Sequence, residues 1–158
     1  MKKIFLIFTI VITIVNCSNN EESSCDWEVI PSIIVPQETE NNLNKVFSKD
    51  NTILNNNDEN NFILKITTKQ QLNNLSDDEL DIDVDFDKYF ILGGRIQTSS
   101  ISNRISIHQL KVCNAQSSYN YEVIIEKCTE CYPALGFLYF WNIYPKSISE
   151  NEVTLSIK

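Results

Sequence analysis

From Lys88 to its end the chain repeats one unit, a strand-length run of β-branched and aromatic residues followed by turn formers. The runs are KYFILGGRIQ, SNRISIHQLKV, YNYEVIIEK, ALGFLYFWNIY and NEVTLSI. Gly93, Gly94, residues 114–118, Pro133 and Pro145 are read as the connections. Such residues favour a pleated, half-buried surface, and short runs joined by turn signals predict a mainly β fold, an antiparallel sheet or sandwich. Alternation refines this. Tyr119, Tyr121, Val123 and Ile125 share one face, with Glu122 and Glu126 on the other, and Val153, Leu155 and Ile157 alternate with Thr154, Ser156 and Lys158. Those two strands are predicted to have one wet face. The run LGFLYFWNIY is apolar on both faces, so it belongs at the centre with cover on both sides, or it carries an exposed aromatic patch in which Tyr139 and Trp141 are candidate ligand contacts. Residues 104–112 change phase between Ile107 and Leu110, which predicts a bulge near His108.

The first half is less regular. Residues 26–36 hold enough Val and Ile for a strand, but Pro31 and Pro36 cannot donate to a ladder, so only an edge strand is expected. Residues 37–61 are rich in Asn and acids and read as loop or short hairpin. After the strand candidate Phe62–Thr67, a hydroxyl from Thr67 or Thr68 caps the one short helix expected, through TKQQLNNL.

The amino terminus sets the compartment. Between Lys2–Lys3 and Cys17 runs IFLIFTIVITIV, twelve uncharged residues. A bilayer-spanning helix needs ~20, so residues 1–16 fit a secretory signal and are excluded from the fold. Ile14-Val15-Asn16-Cys17 resembles the lipobox of bacterial lipoproteins, in which the cysteine after the cleavage site is lipid-modified; Asn16 departs from the usual small residue. That resemblance implies membrane anchoring through Cys17 by several acyl chains, which bind far more firmly than one. Residues 17–25 are a polar tether, and residues 26–158 suffice for one domain. The acidic tract after Cys17 resembles the surface-export signal of Bacteroidetes lipoproteins, which implies a surface-exposed outer-membrane lipoprotein of the cell envelope.

Without the leader, 11 basic side chains face 21 acidic ones, a net charge near −10. Phosphate neutralisation depends on basic residues, so nucleic acid is not expected as a partner. Cys25, Cys113, Cys128 and Cys131 remain for an oxidising compartment, where an even number favours disulfides. In a hairpin of residues 104–113 and 120–128, Cys113 and Cys128 stand ~20 Å apart, beyond the ~7 Å Cα reach of a bridge. Cys128–Cys131 with Cys25–Cys113 is the expected pairing, although Cys25 can equally reach Cys131.

The chemistry-bearing motifs are few. In DIDVDFDKYF the oxygen ligands Asp81, Asp83 and Asp85 match the first half of a calcium loop, but Phe86 stands where the glycine belongs and Leu92 where the glutamate belongs. The leading expectation is an extended lead-in with Ile82, Val84 and Phe86 towards the core and the aspartates in water, regular pairing starting near Lys88; a weak divalent-cation site is the alternative. Cys128-Thr-Glu-Cys131 has redox spacing, yet active motifs of that type open a helix, and Pro133 and a strand follow here. His108 is the one histidine and reads as a strand residue bonded to a neighbour. No metal ligand set, cofactor or catalytic constellation is expected.

The order VDFDKYFILGG, ISIHQL, YNYEVIIEKC, LYFWNIYPKS and NEVTLSI resembles a group of small Bacteroidetes lipoproteins and, more distantly, the C-terminal domain of PrcB, a protein associated with stabilising a protease complex. Asp85, Phe86, Tyr119, Tyr121, Trp141, Pro145 and Lys146 carry the resemblance over about residues 62–158. It implies a non-catalytic binding or accessory role towards another envelope protein or a protease. The competing expectation is a small thiol-disulfide oxidoreductase using Cys128 and Cys131.

Overall fold

A computed structural model describes residues 25–55, 59–76, 82–148 and 151–158. Residues 1–24, on which the expected signal and Cys17 fall, and Asp81 lie outside the described residues. Among those described, no helix is long and apolar enough to cross a membrane.

The fold is mainly β, two sheets face to face with helices on the outside of one. The first sheet has β1 (Trp27–Ile30), β4 (Arg104–Cys113), β5 (Ser118–Glu126) and β7 (Val153–Ile157), in the order β1-β4-β5-β7. The second has β2 (Phe62–Ile66), β3 (Tyr89–Thr98) and β6 (Gly136–Pro145), in the order β2-β3-β6. Alternation along each strand explains the layering. Phe90, Leu92, Ile96, Phe140 and Tyr144 of the second sheet meet Leu110, Tyr121 and Val123 of the first. The opposite face of the second sheet, with Phe62, Ile66, Ile91 and Ile143, packs against Leu43, Val46, Phe47, Leu54 and Leu72 from the helices. β3 is covered on both sides, and Ile91 to Ile96 are all buried.

Gly93 and Gly94 are inside β3 rather than in a connection. A Cβ on Gly93 would lie 2.4 Å from Phe47 Cε1, so glycine here lets that ring rest on the sheet. β6 is covered on both faces, but it lies at the edge of its sheet and not at the centre. The bulge in β4 falls between Ile105 and Ile107, slightly before His108. Ile107 is apolar yet points outward, which displaced the apparent phase change. One pair is parallel: β5 runs alongside β7. The chain between them crosses to the other sheet as β6 and returns, the long crossover that parallel pairing requires.

Residues 37–55 form two helices, α1 (Gln37–Val46) and α2 (Thr52–Asn55), rather than a loop or hairpin. Asparagine disfavours helix interiors. Tertiary packing outweighs that here, because Thr39, Leu43 and Val46 fall on one face and seal the sheet. Asn51 organises the junction: its Oδ1 accepts from Leu54 N (3.0 Å), while its Nδ2 donates to the carbonyls of Val46 and Leu75 (both 2.7 Å). α3 (Lys69–Asn73) is the helix expected, with Thr68 Oγ1 accepting from Gln71 N at 3.2 Å.

β1 is short because Pro31 ends it, and its ladder on β4 reaches only as far as Ile30 opposite Leu110. At that point β6 supplies substitutes. Tyr144 Oη accepts from Leu110 N (3.1 Å), and Asn142 Nδ2 donates to the His108 carbonyl (3.2 Å). Asn142 Nδ2 also lies 3.3 Å from the hydroxyls of Tyr121 and Tyr144 and 3.2 Å from His108 Nδ1, which shares a 2.8 Å hydrogen bond with Tyr121 Oη. This polar cluster between the sheets completes the edge of β4. The Tyr144 hydroxyl meets both the Leu110 amide and Asn142 Nδ2, so Tyr144→Phe, which takes that acceptor out of a buried cluster, is expected to cost about 1–3 kcal/mol in urea unfolding, with the m-value unchanged.

Candidate interaction surface

The strands of the first sheet run between two poles. Cys25 and Cys113 are bonded, with Cα atoms 5.8 Å apart, at the pole that also carries Trp27 and the 114–117 turn. At the other end of β4, about 30 Å away at ~3.3 Å per residue, the 99–103 and 127–135 connections come together. The Cys25–Cys113 bond spans 88 residues of sequence and pins β1 to β4.

The distal pole is braced loop. Ala134 N donates to the Ser99 carbonyl (3.0 Å) and Cys128 N to Asn103 Oδ1 (2.9 Å), while Asn103 Nδ2 donates to Thr98 Oγ1. The Cys128–Cys131 bond, with Cα atoms 5.6 Å apart, closes the second connection on itself. A Cβ on Gly136 would lie 2.9 Å from Ile101 Cγ2, so the two connections touch. On this frame three large apolar side chains face solvent: Ile101 is 72% exposed, Tyr132 93% and Leu135 76%. Phe137, also exposed, lies on the helix side of β6 with its ring 4.3 Å below the buried Arg95 guanidinium. Apolar side chains gathered on rigid loops are the usual composition of a protein-binding surface.

The residues singled out from sequence lie elsewhere, apart from Cys128 and Cys131. Tyr139 Oη donates to Asn55 Oδ1 and Trp141 Nε1 to Asn44 Oδ1 (2.8 Å), so both aromatics fasten the helices to β6. Ile82 is buried and Val84 and Phe86 pack against the same core, as the extended lead-in requires, with pairing starting at Tyr89. Asp83 is exposed. Asp85 holds the turn into β3, accepting from Asp87 N (3.1 Å) and pairing with Lys88 Nζ (2.7 Å), and the Lys88 hydrogen bond lowers its pKa. Neither Cys128 nor Cys131 opens a helix; they lie between β5 and β6. Ile101 and Tyr132 escaped the sequence reading, and Leu135, read there as the start of the strand, lies just before β6 instead. The signal of Tyr132 is faint, one aromatic residue beside Pro133 in TECYPALG.

Comparison with family models, curated proteins and solved structures returns no match to this chain.

His108 is the strand residue bonded to a neighbour that was expected, whereas Glu122 differs from expectation. Glu122, on the outer face of β5, is 3% exposed instead of bathed in water. Lys111 (2.5 Å), Lys158 and Gln109 (3.0 Å) close over its carboxylate. Hydrogen bonds from those three, Lys111 foremost, hold its pKa down at about 2. His108 is lowered from 6.5 by burial, so its ring is neutral at pH 7. Both folded values are depressed, so both groups contribute stability that is present above their unfolded values and disappears as pH falls. Chemical unfolding across pH is expected to show a first loss below about 6.5, absent in His108→Gln, and a second between about 4.5 and 2, absent in Glu122→Gln.

Proposed function

We propose that this protein is a membrane-anchored lipoprotein of the cell envelope, outer-membrane and surface-exposed, whose β-sandwich binds another envelope protein through its distal pole. The observation that carries the reading is the exposure of three large apolar side chains, Ile101, Tyr132 and Leu135, on the two connections at the end opposite Cys25. Cys25 follows Cys17 by eight positions, a reach of at most roughly 28 Å. A chain fastened at Cys17 therefore keeps its Cys25 pole within that reach of the bilayer, with the apolar tip at the opposite end of the domain. A lipid surface is the wrong occupant for such a tip, whereas a protein rising beside it is within reach. A protease complex is the partner class that the family resemblance suggests.

Photocrosslinking in intact cells tests this, with Tyr132 replaced by benzoylphenylalanine. A single protein species is expected to be captured, and Ile101→Ser with Leu135→Ser is expected to reduce the yield at least tenfold with the melting temperature unchanged. Capture of lipid alone, or undiminished capture by the double variant, would sink the reading.

A second reading uses the Cys128–Cys131 bond as a thiol-disulfide centre, favoured by its place at the exposed pole. It lacks the helix N-terminus that lowers a nucleophile's pKa. On treatment of the native protein with millimolar dithiothreitol, both bridges are expected to resist, giving no titratable thiol; rapid release of two thiols at 128 and 131 would favour the enzyme.

A further inference from the structure

The edge of β6 next to the tip is built to receive a strand. In a strand, the N–H and C=O of one residue point to one side and those of the next residue to the other. Ile33 N donates to the Ile143 carbonyl (2.8 Å) from outside the sheet, so Ile143 faces away from β3, and Trp141, Tyr139 and Phe137 do the same by parity. The bonds at the two ends agree: Ala134 N donates to Ser99 and Lys146 N to Lys88, both towards β3. Among the described residues, no backbone group pairs with the outward amides and carbonyls of Phe137, Tyr139 and Trp141. The facing sheet is open on the same side. β1 covers β4 only from Leu110 to Cys113, leaving Arg104 to Gln109 without a strand there. Residues 31–36, stepping from the end of β1 to Ile143 and into α1, mark that side. Two stretches without a neighbouring strand thus lie one above the other, that of β4 met at the His108 carbonyl by Asn142, and lead towards Leu135 and Tyr132.

We infer that the edge of β6 from Phe137 to Trp141 takes up an extended segment of the partner polypeptide as an added strand, a mode in which main-chain hydrogen bonds supply affinity and alternate side chains supply specificity. This rests on the reading of the protein as a partner-binding lipoprotein. The chain already uses the same contact on itself, since Ile33 occupies the next outward position. The aromatic row Phe137, Tyr139 and Trp141 selects a segment with aliphatic or aromatic residues at every second place. A second copy is the competing occupant, in antiparallel pairing about Tyr139, since parallel pairing is not self-complementary; a crosslinked species of twice this chain's mass overturns the partner segment.

The species crosslinked through position 132 is the test material, with amide hydrogen exchange as the readout. Exchange at Phe137, Tyr139 and Trp141 is expected to slow at least tenfold relative to the free protein, while Phe140 and Asn142, already in the β3 ladder, stay as they were. Capture at the tip without that slowing overturns the added strand and leaves the tip interface standing; failure of capture removes both. A pair of variants gives an independent reading. Tyr139→Ala keeps the outward amide and Tyr139→Pro removes it without touching the β3 ladder. The proline variant is expected to be captured at least tenfold less than the alanine variant, and equal yields overturn the proposal. Should the proline variant fail to fold, the exchange experiment decides.

Discussion

The two sheets are joined where β1 runs out. Pro31 ends that strand at Ile30 opposite Leu110, which leaves the His108 carbonyl of β4 beyond the last ladder pair. A buried polar group in that position carries a desolvation penalty of about 1–3 kcal/mol unless it is paired. Asn142 of the opposite sheet reaches across to that carbonyl, and Tyr144 accepts from the Leu110 amide at the end of the ladder. The consequence is larger than two hydrogen bonds. The side chains of β6 become part of the wall of the other sheet, so the spacing and lateral offset of the sheets are fixed by directional contacts as well as by apolar packing. The ring of His108 is held uncharged inside that wall, which ties the sandwich to neutral pH.

From that joint the rest of the molecule takes its asymmetry. One pole is closed by a disulfide between the first strand and the end of β4; the other is made of loops crossing over Gly136. The short first strand leaves one side of the sandwich incomplete near the loop pole, where the exposed apolar side chains gather. Truncation of β1 and exposure of the tip belong together: a longer β1 would cover the stretch of β4 that leads to it.

The strands were legible in the sequence because alternation is a local property. Tyr119, Tyr121, Val123 and Ile125 do share the inner face of β5, and β1 is the edge strand that Pro31 and Pro36 predict. Reach along a hairpin also removed the Cys113–Cys128 pairing, while the choice between Cys113 and Cys131 as the partner of Cys25 waited on the fold. What escaped was decided by distant contacts. The helix α1 is hidden by asparagines whose poor propensity is outweighed only once Leu43 and Val46 have a sheet to cover. The parallel pairing of β5 with β7 depends on where the chain travels between them. Glu122 reads as a wet residue until Lys111 and Lys158 from two other strands are laid over it. Exposure at Tyr132 and Leu135 is a property of the assembled surface, and the same letters in another loop would be core.

The two disulfide bonds act on the unfolded chain very unequally. The Cys25–Cys113 bond closes a loop across 88 positions and the Cys128–Cys131 bond one across three. In the chain-entropy account of cross-links the first therefore removes far more freedom from the unfolded ensemble, whereas the second shapes its own loop and little else.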